Sequence, residues 1–326
     1  MTNLIKVTTD AALILDKEAP ERIVILPIAQ LHVGELEINF PTIETKTIDK
    51  KRLEEIREIF YNIINETLHT EEEKTSLKKQ FDERTEIQLG RVCIFVTTSG
   101  DVERVKENAM QQSEAIIDFF QMIVTMFESR SKRIRIRIGG DLVTRQPGII
   151  ILSTDGSRLN DEWPMLFDFR LEMTQSILDK MKAYGFKPLM DILGKTDLSE
   201  LEKTIIQSMH WIADAGRQEL PENKTTSYIT AIEMFFSKKG QPINRDVSEG
   251  ITMLLGSTLD NRKAIVKQIG KFYDQRSSIS HTGARLSEKT SETHEIANVA
   301  ISVLAKMCQM SSRVSTIDGI RKWMVD

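Results

Sequence analysis

Arg276 and His281 stand five residues apart in YDQRSSISHTG (273–283), and the two side chain types together suit one reaction. Histidine moves protons near neutral pH, and a guanidinium holds the crowded negative charge on a phosphorus atom under attack. Acting together they suit cleavage of RNA by its own 2′-hydroxyl, which requires no metal and leaves a 2′,3′-cyclic phosphate. The bare spacing carries no weight, because 20 arginines and five histidines produce about one Arg-x(4–6)-His match by chance. The surroundings decide.

Those surroundings read as a helix starting near Thr258, with Ile265, Ile269, Phe272 and Ile279 on one face. Arg276 falls within that stripe. A guanidinium there faces packed side chains, and leaving it unpaired would cost several kcal/mol. Either a carboxylate answers it, with Glu233 in TAIEMFF (230–236) and Asp274 as candidates, or the stripe opens into a cleft or subunit interface that takes an anion. Tyr273 reads as core or interface packing, or as a hydroxyl near that cleft. His281 lies about 140° further round a continuing helix. One chain need not bring both groups to one atom, whereas two chains related by a two-fold axis would present both to a shared cleft.

Other patterns are weaker. RIRIRIGGD (133–141) places Arg133, Arg135 and Arg137 on one face of a strand, expected to be solvated. The alternative is RNA contact by those three, with Arg285 as a further candidate. The GGD segment lacks a second acid beside Asp141, which argues against two-metal chemistry. Ser76-x-x-Lys79 and Ser129-x-x-Lys132 match a hydrolase pattern without its accompanying motifs. No phosphate-binding glycine loop occurs, and His32, His69 and His294 show no metal-ligand spacing with one another or with the cysteines. His210, beside Trp211, reads as a packed core histidine. No metal and no cofactor are expected.

The elements that must position these groups divide in two. Segments 22–33, 36–40, 91–98, 133–138 and 148–154 read as strands and 49–68 and 101–128 as helices, giving an α+β region with a mixed or antiparallel sheet. A further helix is expected over 167–183, stopped by YGFKP (184–188). From Thr196 onward the pattern is helical throughout: 198–217, 226–237, 246–255, the helix from 258, 290–310 and a short tail. The expected fold is therefore α+β, a mixed sheet-and-helix domain (1–190) followed by an all-α bundle (191–326).

Charge follows the division. Residues 196–326 hold 17 Lys and Arg against 16 Asp and Glu, and residues 1–195 hold 27 against 32. The net charge of −4 argues against binding a polyanion through the overall field, so any such contact must be local. Two distant cysteines, Cys93 and Cys308, indicate no disulfide framework. The apolar runs, such as 115–127 with its Asp118 and Gln121, are too short or interrupted to span a bilayer, and no secretory leader is evident. A cytoplasmic protein with no membrane contact is expected.

The C-terminal half, over about residues 196–310, resembles the HEPN superfamily and most closely its Apea-like branch. The likeness rests on MHWIADAG (209–216), YITAIEMFF (228–236), GITMLLG (250–256) and NRKAIVKQIGKFYDQRSSISHTG (261–283), with the tyrosine, Arg-x4-His and following glycine of that family. It implies a compact helical bundle, usually dimeric, and in many members a metal-independent ribonuclease of toxin and anti-phage systems. By position it implies that Arg276 and His281 are catalytic and that Ser277 fills the polar position after the arginine. The partners expected are RNA, a second copy through the C-terminal domain, and a regulatory ligand or protein at the N-terminal domain. A HEPN module that binds RNA, nucleotide or a partner without catalysis is the alternative.

Overall fold

The structure, a computed structural model, describes residues 21–29, 31–33, 38–40, 43–47, 49–67, 70–86, 92–99, 102–127, 134–138, 149–152, 159–162, 171–195, 197–237, 243–282 and 290–325. Strands β1 (Glu21–Ala29), β2 (Leu31–His32), β3 (Ile38–Phe40) and β4 (Ile43–Thr47) precede helices α1 (Lys50–Thr67) and α2 (Glu71–Glu86). Then come β5 (Val92–Ser99), α3 (Val102–Phe127), β6 (Arg137–Ile138), β7 (Ile149–Leu152), β8 (Leu159–Glu162) and β9 (Leu171–Glu172). The later elements are helices: α4 (Gln175–Ala183), α5 (Lys187–Ile192), α6 (Glu200–Arg217), α7 (Pro221–Phe236), α8 (Ile243–Leu255), α9 (Leu259–Thr282), α10 (Thr290–Met310) and α11 (Ile317–Val325). The class is mixed α+β.

One sheet has the strand order β3-β4-β5-β1-β6. β1 and β5 run antiparallel from Glu21↔Ser99 to Pro27↔Cys93, and β6 adds Ile28↔Ile138. Val92, Cys93 and Ile94 are consecutive and all buried, so both faces of this central strand are covered. That is why β5 reads as an unbroken apolar run rather than an alternating one. RIRIRI does alternate, with Ile134 and Ile136 buried and Arg135 exposed, although only Arg137–Ile138 joins the sheet. In the helical hairpin after β4, Asp82 accepts a bond from Tyr61 at 2.5 Å and pairs with Arg57 at 3.0 Å.

The chain forms two compact units. The first takes its described residues from 1–38, 45–109 and 129–173, and the second from 39–44, 110–128 and 174–326. The break expected near residue 190 thus falls after Met173, and most of α3 belongs with the later helices. Its burial explains this: every residue from Ile116 to Val124 is buried, so this stretch needs packing partners all round. Within the second unit Phe119 meets Phe40 edge-on, with ring centres 5.8 Å apart.

The helix expected over 167–183 is shorter, beginning only at Gln175. Leu171 and Met173 are buried with Glu172 exposed between them, a period of two, and Leu171–Glu172 pairs in parallel with Leu31–His32. Thr174 then caps α4 by accepting from the Ile177 N–H. Gly185 ends it at φ 95°, where a side chain is strained, and a Cβ there would lie 1.9 Å from Gln309 Nε2. Pro188 opens the unanticipated α5. Pro221 likewise starts α7 five residues earlier than its apolar pattern shows.

In the second unit α6, α7 and α10 pack on one another. Leu201, Ile205, Met209 and Ile212 of α6, Ile229, Ile232 and Phe235 of α7, and Ala300, Val303, Leu304 and Met307 of α10 are buried there. A capping box starts α6: the Glu202 N–H donates to Ser199 Oγ at 3.3 Å and the Ser199 N–H donates to Glu202 Oε2 at 2.9 Å. Arg321 of α11 donates to the Ser237 carbonyl at the end of α7, at 2.9 Å. The final turn of α7 is therefore held from outside. That turn carries Glu233.

Candidate functional site at the end of α9

α9 touches its neighbours along a narrow stripe. Ile269 and Phe272 are buried, while Ile265 and Ile279 are half-buried. Arg276 shares this face, with 29% of its side chain exposed, and Glu233 of α7 answers it with 13% exposed. The guanidinium Nη1 donates to Glu233 Oε1, and the Tyr273 hydroxyl donates to the same oxygen at 2.9 Å. Asp274, the other candidate carboxylate, is exposed. One carboxylate oxygen thus fixes both the tyrosine and the arginine.

Burial, then the negative charge of Glu233 and the bond donated to it, push the Tyr273 hydroxyl far above its ordinary pKa. It is a fixed hydrogen-bond donor rather than a base. Arg276, by contrast, keeps guanidinium nitrogens beyond the one committed to Glu233 and remains partly open to solvent. A planar cation oriented by a carboxylate from behind suits an oxyanion in front.

His281 and Ser277 are exposed near the end of α9. His281 is in the last turn of the helix. The helix continues through Thr282, so the rotation of about 140° between Arg276 and His281 applies. A single chain sends the two in different directions. Arg135 is exposed, while Arg133, Arg285 and the side chain of Arg137 lie outside the described residues, as does GGD. Ser76 and Lys79 are exposed on α2.

No family model, curated protein or solved structure matches this chain. Among the described residues no group of three His, Cys, Asp or Glu side chains could hold a metal ion, and no helix is long and apolar enough to cross a membrane.

The structure corrects the reading of His210 as a core residue. Its side chain is 45% exposed, and its Nδ1 lies 2.7 Å from Asp118 Oδ2 on α3. The other oxygen of Asp118 pairs with Arg217 at 2.7 Å, and the Asp118 side chain is only 4% exposed. The sequence does hold a clue to this cluster: an acid in the apolar run 115–127 needs a cation when buried. His210 and Arg217, seven positions apart, lie on one face of α6. The bond to Asp118 raises the His210 pKa, against a lowering from burial, and the charges of Asp118 and Glu114 add to the rise.

Proposed function

We propose that this protein is a metal-independent endoribonuclease of the HEPN type, acting as a toxin or anti-phage effector. Arg276 and His281 work at a cleft shared by two chains. The observation that carries the reading is the fixed guanidinium: Glu233, itself held by Tyr273, orients Arg276 beside the helix turn that ends in an exposed histidine. In this reading His281 takes the proton from the 2′-hydroxyl or supplies one to the leaving 5′-oxygen. Arg276 stabilises the phosphorus-centred dianion between those steps. Glu233 and Tyr273 position the arginine and touch no substrate. The first unit modulates the site.

The test is cleavage of RNA by the purified full-length protein in EDTA. His281→Ala should lower the rate about 10²–10⁴-fold with little change in folding, and the parent's products should end in 2′,3′-cyclic phosphate. A variant that cuts as fast as the parent would sink the assignment.

One observation favours a second reading, a HEPN module that binds RNA, nucleotide or a partner without cutting. His281 is exposed and points away from Arg276 within one chain. Tight RNA binding by a parent that yields no cleavage products would select this alternative.

A further inference from the structure

The Asp118–His210–Arg217 cluster is separate from the α9 site, and the proposed reaction does not use it. Asp118 is buried, and its two oxygens are divided between two cationic side chains of α6. Arg217 carries a permanent charge. His210 is half-exposed, so its ring exchanges protons with solvent, and its Nε2 has no partner among the described residues. We propose that these residues form a proton-operated clamp between α3 and α6, closed while His210 is protonated and loosened when it is not.

The joint is tight enough to respond. Gly216 lies against α3 so closely that a Cβ there would be 2.5 Å from Thr125 Oγ1 and 3.1 Å from Gln121 Nε2. When His210 loses its proton, Asp118 keeps Arg217 and exchanges a bond from a charged donor for one from a neutral donor. α3 is then held less firmly and stays in place. The charged groups facing the imidazole are Asp118 and Glu114 from α3 and Arg217 from its own helix. The two acids favour the proton, whereas Arg217 and burial oppose it.

The sign is set by the direction of the shift. A histidine whose folded pKa is raised contributes stability that is fully present below its ordinary value of 6.5. That contribution is lost as pH rises through the raised value. The clamp therefore loosens as pH rises through that raised value.

The test combines the titration of the His210 ring, followed by NMR on the full chain, with amide hydrogen exchange over residues 110–127. Exchange rates are corrected for their intrinsic pH dependence. The expected ring midpoint lies above 6.5, and exchange in 110–127 should quicken with the same midpoint, about tenfold per unit by which the pKa is raised. His210→Gln keeps a neutral donor for Asp118 and should make that exchange independent of pH. Should Asp118→Asn fold, its ring midpoint should return to 6.5 or below. A parental midpoint at or below 6.5, or exchange in His210→Gln that follows pH as the parent does, would overturn the proposal.

Discussion

Removing the guanidinium at position 276 should expose the cost of Glu233. Its carboxylate is 13% exposed, so Arg276→Ala leaves a mostly buried charge with the Tyr273 hydroxyl as its remaining described partner. Breaking a fully buried pair costs about 3–5 kcal/mol, and an exposed pair is worth about 0.2–1 kcal/mol. With Arg276 itself 29% exposed and one donor left behind, a loss of about 2–3 kcal/mol is expected. At about 2–4 °C per kcal/mol for a unit of this size, Tm should fall by about 4–12 °C. The double variant Arg276→Ala with Glu233→Ala should be more stable than the two single losses added together, because no carboxylate is then stranded. Arg276→Lys should restore most of the stability and little of the cleavage, since an ammonium keeps the charge and loses the planar fork. Thermal melts of the parent, the two single alanine variants and the double variant, read as a double-mutant cycle, decide the matter. A coupling energy near zero would show that Glu233 does not hold Arg276, and the positioning argument would fail with it.

Further outcomes are expected of the α6 cap and of the second copy. Ser199→Ala should destabilise the protein by about 0.5–2 kcal/mol through the lost cap. Burial pushes the Glu202 pKa up, but the bonds it accepts from Lys195 and Ser199 outweigh that and hold it below its ordinary 4.5. Its contribution is therefore present above 4.5 and lost as pH falls through the lowered value. Glu202→Gln should flatten that acid loss in a pH series of melts, and an unchanged slope would contradict it. The full chain should sediment as a dimer at micromolar concentration, and mixing Arg276→Ala with His281→Ala chains should restore cleavage that neither shows alone. A strict monomer, or a mixture as inactive as its parents, would remove the shared cleft.

Much of the α9 site was legible because its signal is local. An arginine inside a stripe of Ile269, Phe272 and Ile279 demands a carboxylate, and the adjoining helix offered Glu233, which the structure joins to it. The stripe itself is narrower than its spacing implied, since the outer residues Ile265 and Ile279 are only half-buried. The Asp118 cluster escaped notice because its partners are 92 positions apart along the chain, so the acid in the apolar run 115–127 does not itself show which cation answers it. The helix expected over 167–183 failed at its start, where two alternating residues beside a capping threonine formed a strand instead. Strand content and helical periodicity separated the two halves of the chain. They could not assign α3, because amphipathic spacing shows that a helix is covered and not which elements cover it.

That assignment has a consequence for how the protein is made. Residues 110–127 belong to a unit whose other helices are encoded far downstream, so the nascent chain carries α3 past the ribosome long before those helices exist. The stretch from Ile116 to Val124, buried throughout in the finished fold, emerges with only the short upstream segment around Phe40 already made to cover it. At about 5–20 residues per second, the wait from the end of α3 to the end of α10 lasts about 10–40 s. During that time the second unit cannot close, and the chain displays a sticky helix that invites chaperones or aggregation. Slower translation would lengthen that exposure.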